Sequence, residues 1–537
     1  MAEKFETTGY LITYADTTCN ISYDTIKIMK ILSKEWYVFA LILVLGLGVF
    51  FRFWGLESAP PGVHYEEALL ANSIIDDPEN AGREKGFYAG LIALTFQFLG
   101  ISVFSLKFVN ALAGALTVLG AYLLTKETII YAAHKTPKDS KMRIAPVGRE
   151  TIAILAAGFT ATSFWHIHFS RITTEAIFIP LLLSFGVWLI LRALRKKSVL
   201  DSALALAVFA STVPVISHII DAFGGGEGAV IGSDNFFTAL MQSFGSHLQM
   251  LFINGDLNWR YNYAGEPQLA LPVAFLFLVG LVYAFRITID GVLHKTRDAL
   301  VVHSFLISAM LVMAFPAAIL AENSPNALLS LGMIPFVFIY AALGFLYFIR
   351  LMFPHKHHRE EVWPLAFGAA MTIILVIASY QFPHYFYDWA RQHDVKQTYS
   401  SNAVQAGKFF NLVPEDSKKY LIVNTDDELV DYPEFILSDL RIGSLETPGT
   451  AQAEIRGSST KLPAGAQPSL FIQYTENAEP PNTQYITREE LPILNAGQSI
   501  FVPLAHDPEL QALIKDSYPT GEEFEFANGI WGYIVEF

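Results

Sequence analysis

The residues of this chain best suited to chemistry are two adjacent glutamates, Glu66 and Glu67, in the run Pro60-Pro61-Gly62-Val63-His64-Tyr65-Glu66-Glu67-Ala68. They follow the first long apolar stretch closely, and carboxylates beside a membrane bundle are costly unless they meet a cation or serve a reaction. The same loop carries His64, Asp76, Asp77, Arg83, Glu84 and Lys85, and Lys107 lies at the start of the next apolar run. A second polar segment reads His166-Ile167-His168-Phe169-Ser170-Arg171-Ile172-Thr173-Thr174-Glu175, and a third reads Asn254-Gly255-Asp256-Leu257-Asn258-Trp259-Arg260-Tyr261-Asn262. One carboxylate could remove a proton from an acceptor hydroxyl while nearby cations stabilise an anionic leaving group. A phosphate leaving group at a membrane face fits a lipid-phosphate donor. The competing reading makes the same residues interfacial salt bridges and helix caps, because acidic first turns are common. Asp76-Asp77-Pro78 reads as a turn. His166 and His168 point to different faces of a helix, so a metal there needs ligands from elsewhere. The sequence requires no cofactor and leaves a divalent metal open.

Apolar spans must position these groups. The chain has 537 residues, 53% of them hydrophobic and only 16% charged, with a mean hydropathy of +0.38. Long apolar runs with few charges predict an all-α polytopic membrane bundle. Runs at Trp36 to Trp54 and at 105–125, 151–168, 176–194, 199–216, 269–286, 299–320, 328–350 and 362–382 predict about nine transmembrane helices. The segment Phe87 to Gly100 is apolar but short, which suits an interfacial or re-entrant helix. The spans are nearly free of charge, which speaks against a transporter.

Loop charges set an orientation. Lys27, Lys30 and Lys34 precede the first span, and segment 126–149 carries six basic residues against two acidic ones. Further basic clusters occur at Arg192 to Lys197, at Arg286, Lys295 and Arg297, and at Arg350, Lys356 and Arg359. All fall on one side if 87–100 does not cross, and the positive-inside bias makes that side cytoplasmic. The opposite side then holds the first outer loop 55–104, segments 169–175, 217–268 and 321–326, and the whole C-terminal region. The expected organisation is a cytoplasmic segment 1–35, a transmembrane domain 36–382 and an extracytoplasmic domain 383–537. The first 34 or so residues carry no signal-peptide pattern.

The C-terminal region is a different kind of sequence. From Pro383 onward it holds 23 acidic and 10 basic residues, so most of the net charge of −14 sits there. Short runs at Tyr420–Asn424, Ser469–Tyr474, Ser499–Pro503 and Ile530–Val535 read as strands, and 398–412 and 507–516 as helices. A small α/β domain follows. No basic field suited to nucleic acid is present. The single cysteine, Cys19, excludes an intrachain disulfide and a Cys-based metal site. Gly224-Gly225-Gly226 lacks the strand–helix context of a phosphate cradle.

Taken together, these segments resemble the GT-C glycosyltransferases, in particular the group with protein O-mannosyltransferases and lipid A aminoarabinose transferases (glycosyltransferase family 39). The resemblance rests on the acidic pair Glu66-Glu67, the short apolar segment 87–100, Lys107, Ser170-Arg171 with Glu175, and FINGDLNWRYNYAGEPQL at 252–269. It covers roughly 36–350. It implies inverting transfer of a sugar from a polyprenyl-phosphate donor to an acceptor protein, lipid or glycan on the outer face, in a cell membrane whose lipid surrounds the bundle. Glu66 would take the place of the acceptor-activating base. Arg171 and Lys107, with Arg83 or Lys85, would hold the donor phosphate. Glu67 and Glu175 would orient the acceptor or the bases, and His64 would border the substrate. Where relatives usually carry Asp, this chain carries Glu66. The alternative is a diverged, non-catalytic relative that anchors an outer binding domain.

Overall fold

The computed structural model describes residues 36–134, 144–223, 230, 235–294, 297–320, 324–353, 362–402, 404, 418–423, 483–487, 491, 499–503, 507–525 and 531–535. The segment 1–35, the basic residues of 135–143, Gly224 to Gly226, Lys295, Lys356, Arg359 and the expected strand at 469–474 lie outside the described residues, as does most of the expected helix at 398–412.

Eight helices among the described residues are long and apolar enough to cross a membrane. Together with shorter ones, the helices run α1 (Trp36–Phe53), α2 (Tyr65–Asp76), α3 (Ala81–Glu84), α4 (Gly86–Leu99), α5 (Val103–Ala132), α6 (Pro146–Thr162), α7 (Phe164–Phe169), α8 (Phe178–Lys196), α9 (Val199–Phe223), α10 (Phe236–Met250), α11 (Leu271–His294), α12 (Arg297–Leu320), α13 (Ile334–Met352), α14 (Trp363–Pro383), and α15 (His393–Thr398). The chain is a multi-pass membrane protein. The run expected to cross at 151–168 differs from the other eight: α6 has 17 residues and stops at Ser163, whose φ of −70° and ψ of 127° leave the helical region, before α7 resumes. The short run 87–100 forms α4, whose 14 residues reach only about 21 Å, less than a hydrocarbon core.

Membrane-facing and buried helices separate by exposure. Val199 and Leu206 of α9 are 84% and 72% exposed. Apolar surface on that scale requires lipid around it. α13 is the opposite case, buried almost throughout, with Phe336, Phe338 and Tyr340 at 1% exposure or less. Between helices in lipid, close packing replaces the hydrophobic effect as the driving force. Two glycines provide it here: a Cβ at Gly280 of α11 would strike the Tyr340 carbonyl, and one at Gly344 of α13 would strike that of Leu276. The two backbones therefore touch.

At one end of the bundle α2, α3 and α4 form a separate layer around Val63, Ala71, Ile74, Ile92 and Phe96. At the other end the charged pairs among the described residues include Lys126–Glu150 at 2.7 Å, Arg192–Asp201 at 3.2 Å and Arg195–Glu127. The C-terminal unit is a five-stranded sheet of order β2-β1-β3-β5-β4, with β1 (Lys418–Val423), β2 (Thr483–Thr487), β3 (Ser499–Pro503), β4 (Glu522–Glu525) and β5 (Trp531–Val535). β1 is parallel to β2 and β3, and β5 is antiparallel to β3 and β4. Helix α16 (Pro508–Ser517) is capped by Asp507, whose Oδ1 accepts from the Glu509 and Leu510 N–H groups at 3.0 Å each. β4 was not expected from its acidic sequence. Among the described strands it lies at the edge, turns Phe524 inward and leaves its three glutamates exposed, and exposed charge on an edge discourages further strand pairing.

Candidate active site

The acidic pair sits in the first turn of α2. His64 is the N-cap, with φ −75° and ψ 150°, and its Nδ1 accepts from the Glu66 N–H at 3.4 Å. A helix N-terminus favours carboxylates, and successive helical residues point about 100° apart. Glu66 consequently faces out and is exposed, whereas Glu67 faces in and is 1% exposed. Neither Glu67 oxygen has a hydrogen-bond partner. Thr173, whose hydroxyl is also without a partner, stands beside it. Burial pushes the Glu67 carboxyl up, and Lys107, Arg260 and Thr173 pull it back only in part. Burial, reinforced by Arg260, pushes the His64 imidazole down to about 2 and keeps it neutral.

Arg260 comes from the loop between α10 and α11. Its Nη2 donates to Glu66 Oε2 at 2.5 Å, and its guanidinium lies 5.2 Å from the Tyr261 ring centre. Burial works against its charge, but Tyr261 and the two carboxylates outweigh that and raise its pKa. The backbone beneath it is clamped: the Arg260 carbonyl accepts from His168 Nε2 at 2.6 Å and from the Tyr399 hydroxyl at 2.7 Å, and the Arg260 N–H donates to Asn258 Oδ1 at 2.9 Å. Asp256 anchors the same loop, accepting from the N–H groups of Asn258 and Ala327 at 2.8 Å each. Burial lifts its carboxyl to about 6.

Lys107 is fully buried, and its Nζ donates to the carbonyl oxygens of Gly62 at 2.6 Å and Pro60 at 3.4 Å. Gly62 has a φ of +134°, and a Cβ there would strike the Tyr399 carbonyl, so glycine is required to present its oxygen to Lys107. Arg171 is also fully buried, but its guanidinium is spent on backbone. Nε donates to Ala59 O at 2.7 Å, Nη1 to Phe51 O and Arg52 O at 2.9 and 3.0 Å, and Nη2 to Gly55 O at 2.5 Å. Burial lowers its pKa to about 10. Glu175 pairs with His218 of α9 at 3.0 Å. Lys85 donates to the Ser73 carbonyl, and Arg83 is exposed on α3.

Of the residues marked in the sequence, the fold gathers His64, Glu66, Glu67 and Lys107. It sets Arg171 to fastening the end of α1, and directs Glu175, Lys85 and Arg83 elsewhere. Arg260 and Tyr399 join the group without having been marked. Arg260 had a visible signal as a lone cation among aromatic and amide residues in the third polar segment. Tyr399 had none. Among the described residues no cluster of three or more His, Cys, Asp or Glu could hold a metal ion.

No family model matches the chain, and no curated protein matches it. Among solved structures it is similar to ArnT from Cupriavidus metallidurans in the apo state, at 9% identity and a TM-score of 0.31, over 94% of this chain and 98% of that one. The same ArnT bound to undecaprenyl phosphate gives 10% identity and a TM-score of 0.32, over 92% and 97%. The archaeal oligosaccharyltransferase AglB from Archaeoglobus fulgidus, in complex with an inhibitory peptide and a dolichol-phosphate, gives 13% identity and a TM-score of 0.32, over 76% and 64%.

Proposed function

We propose that this chain is a membrane glycosyltransferase that moves one sugar from a polyprenyl-phosphate carrier to an acceptor hydroxyl on the outer face, with inversion. One observation supports it above the others: an exposed carboxylate, Glu66, and a mostly buried guanidinium, Arg260, in hydrogen-bond contact beside the enclosed Lys107 and Glu67. A base must be reachable by its substrate before its pKa matters. Glu66 is reachable and Glu67 is not, so the proton goes to Glu66.

In the reaction the acceptor oxygen attacks the anomeric carbon as Glu66 takes its proton. The bond from that carbon to the phosphate oxygen breaks, and the polyprenyl phosphate leaves with the electron pair. Arg260 exchanges its bond to Glu66 for one to the phosphate, which frees the base at the moment the leaving group needs a cation. Lys107, fixed on two carbonyls, adds positive potential without moving. Glu67 offsets both cations while the donor is absent.

The test is transfer from radiolabelled polyprenyl-phosphate sugars by membranes containing wild-type or Arg260→Gln protein. The proposal expects transfer by the wild type, and a donor KM raised about tenfold or more in the variant. Unchanged donor KM in Arg260→Gln would remove the guanidinium from the mechanism.

A further inference from the structure

Away from the acidic pair, a groove of about 600 Å³ lies between segment 252–274 and the end of α14. Its walls are mainly apolar, and its rim includes Leu271, Val376 and Tyr380, which are more than half exposed on the lipid-facing side of their helices. Among the described residues its lining includes no lysine or arginine, and its one carboxylate there, Glu266, is paired with His384 Nε2 at 2.9 Å. Gln268 and Gln381 line this groove and also a second void of about 10 Å³, which Ser163 lines too.

That second void has room for about one water-sized oxygen. Around it Gln268, Gln381 and Ser163 are each more than nine-tenths buried. Gln268 Oε1 and Nε2, Gln381 Oε1 and Ser163 Oγ all lack a hydrogen-bond partner. Buried amides and hydroxyls are nearly always paired, so four unpaired atoms around one oxygen-sized void describe a socket for a group that both donates and accepts. The groove leading to it is apolar and open to lipid. A phosphate there would meet a carboxylate and no fixed cation, at a high desolvation cost.

We propose that groove and void form a binding site for an uncharged long-chain alcohol dissolved in the membrane. The hydrocarbon chain fills the groove, and its single hydroxyl enters the void, donating to a glutamine carbonyl oxygen and accepting from Gln268 Nε2. The site stands on different residues from the acidic pair, and its occupancy does not depend on glycosyl transfer.

The test is direct binding of tritiated geranylgeraniol to the full-length protein in lipid nanodiscs, with competition by its methyl ether and its monophosphate. Saturable binding is expected, with the ether about tenfold weaker because it cannot donate and the monophosphate no tighter than the alcohol. Gln268→Leu and Gln381→Leu should each weaken binding about tenfold, and neither should lower the apparent melting temperature, because each removes an unpaired buried group. Ala270→Trp should block the groove. Absence of saturable binding, equal affinity for the ether, tighter binding of the phosphate, or unchanged binding in both leucine variants would overturn the proposal. The last result would mean that the void holds water only. The ether and phosphate comparisons use wild-type protein alone and decide the matter even if a variant fails to fold.

Discussion

Glu66 and Glu67 are adjacent in the chain, and about 100° of helix rotation separates their environments. The outward carboxylate pairs with Arg260, and the inward one is enclosed without a hydrogen-bond partner. The raised pKa of Glu67 has a stability consequence with a definite sign. The folded protein keeps the Glu67 proton above the ordinary carboxyl value of 4.5, where the unfolded chain has released it. Stability therefore falls as pH rises from about 4.5 through the folded value and is level beyond it. Glu67→Gln removes that loss, so its apparent melting temperature should exceed that of the wild type at pH 8 and match it near pH 4. A variant less stable than the wild type at pH 8 would show that the charge is better compensated than its contacts imply. At this scale the sequence was readable up to a point. The adjacent acids and Lys107 could be picked out by type. Which glutamate faced inward could not, because that depends on where α2 begins, and His64 as its N-cap lacks the usual Ser, Thr, Asp or Asn signature.

The elements show the same division between pattern and placement. Apolar length located eight spans, since a run of some 20 apolar residues has few other uses. It did not reveal the break at Ser163, because neither proline nor glycine marks it and the aromatic residues from Phe164 continue the apolar run. Arg171 gives the sharpest element-scale expectation. Its four bonds to the carbonyls of Phe51, Arg52, Gly55 and Ala59 hold the end of α1 against the loop after α7. Arg171→Met removes the donor from the buried carbonyls of Phe51, Arg52 and Ala59 and should cost about 3 kcal/mol or more, whereas the Gly55 carbonyl keeps the Ser58 and Ala59 N–H groups. The fraction of monodisperse, heat-resistant protein extracted in detergent should drop sharply, whereas Glu66→Gln should leave it unchanged. Normal folding of Arg171→Met combined with lost donor binding would restore Arg171 to the phosphate site that the family resemblance implies.

For the whole molecule, orientation follows from the basic residues at the end of the bundle opposite α2 to α4, such as Lys126, Arg195 and Arg350. The positive-inside bias predicts that the acidic pair and the C-terminal domain face outward. With Cys19 replaced by serine, a cysteine at the exposed position of Arg83 should react with an impermeant maleimide in intact cells. A cysteine at the exposed position of Lys196 should react only after permeabilisation. The reverse pattern would place the site on the cytoplasmic face. The sheet was legible in β1, β3 and β5, whose apolar runs match strand length, but not in β2, which went unmarked, nor in β4, whose single inward Phe524 is hidden among glutamates. Sidedness and sheet alike frame a single central claim, that Glu66 is the base of a polyprenyl-phosphate sugar transferase. The most direct measurement compares transfer of radiolabelled sugar from polyprenyl-phosphate donors by wild-type and Glu66→Gln membranes at equal protein level. The account predicts transfer by the wild type and a fall in kcat of about 100-fold or more in Glu66→Gln, with donor KM little changed. Transfer undiminished by Glu66→Gln, or no wild-type transfer from any such donor, would contradict it.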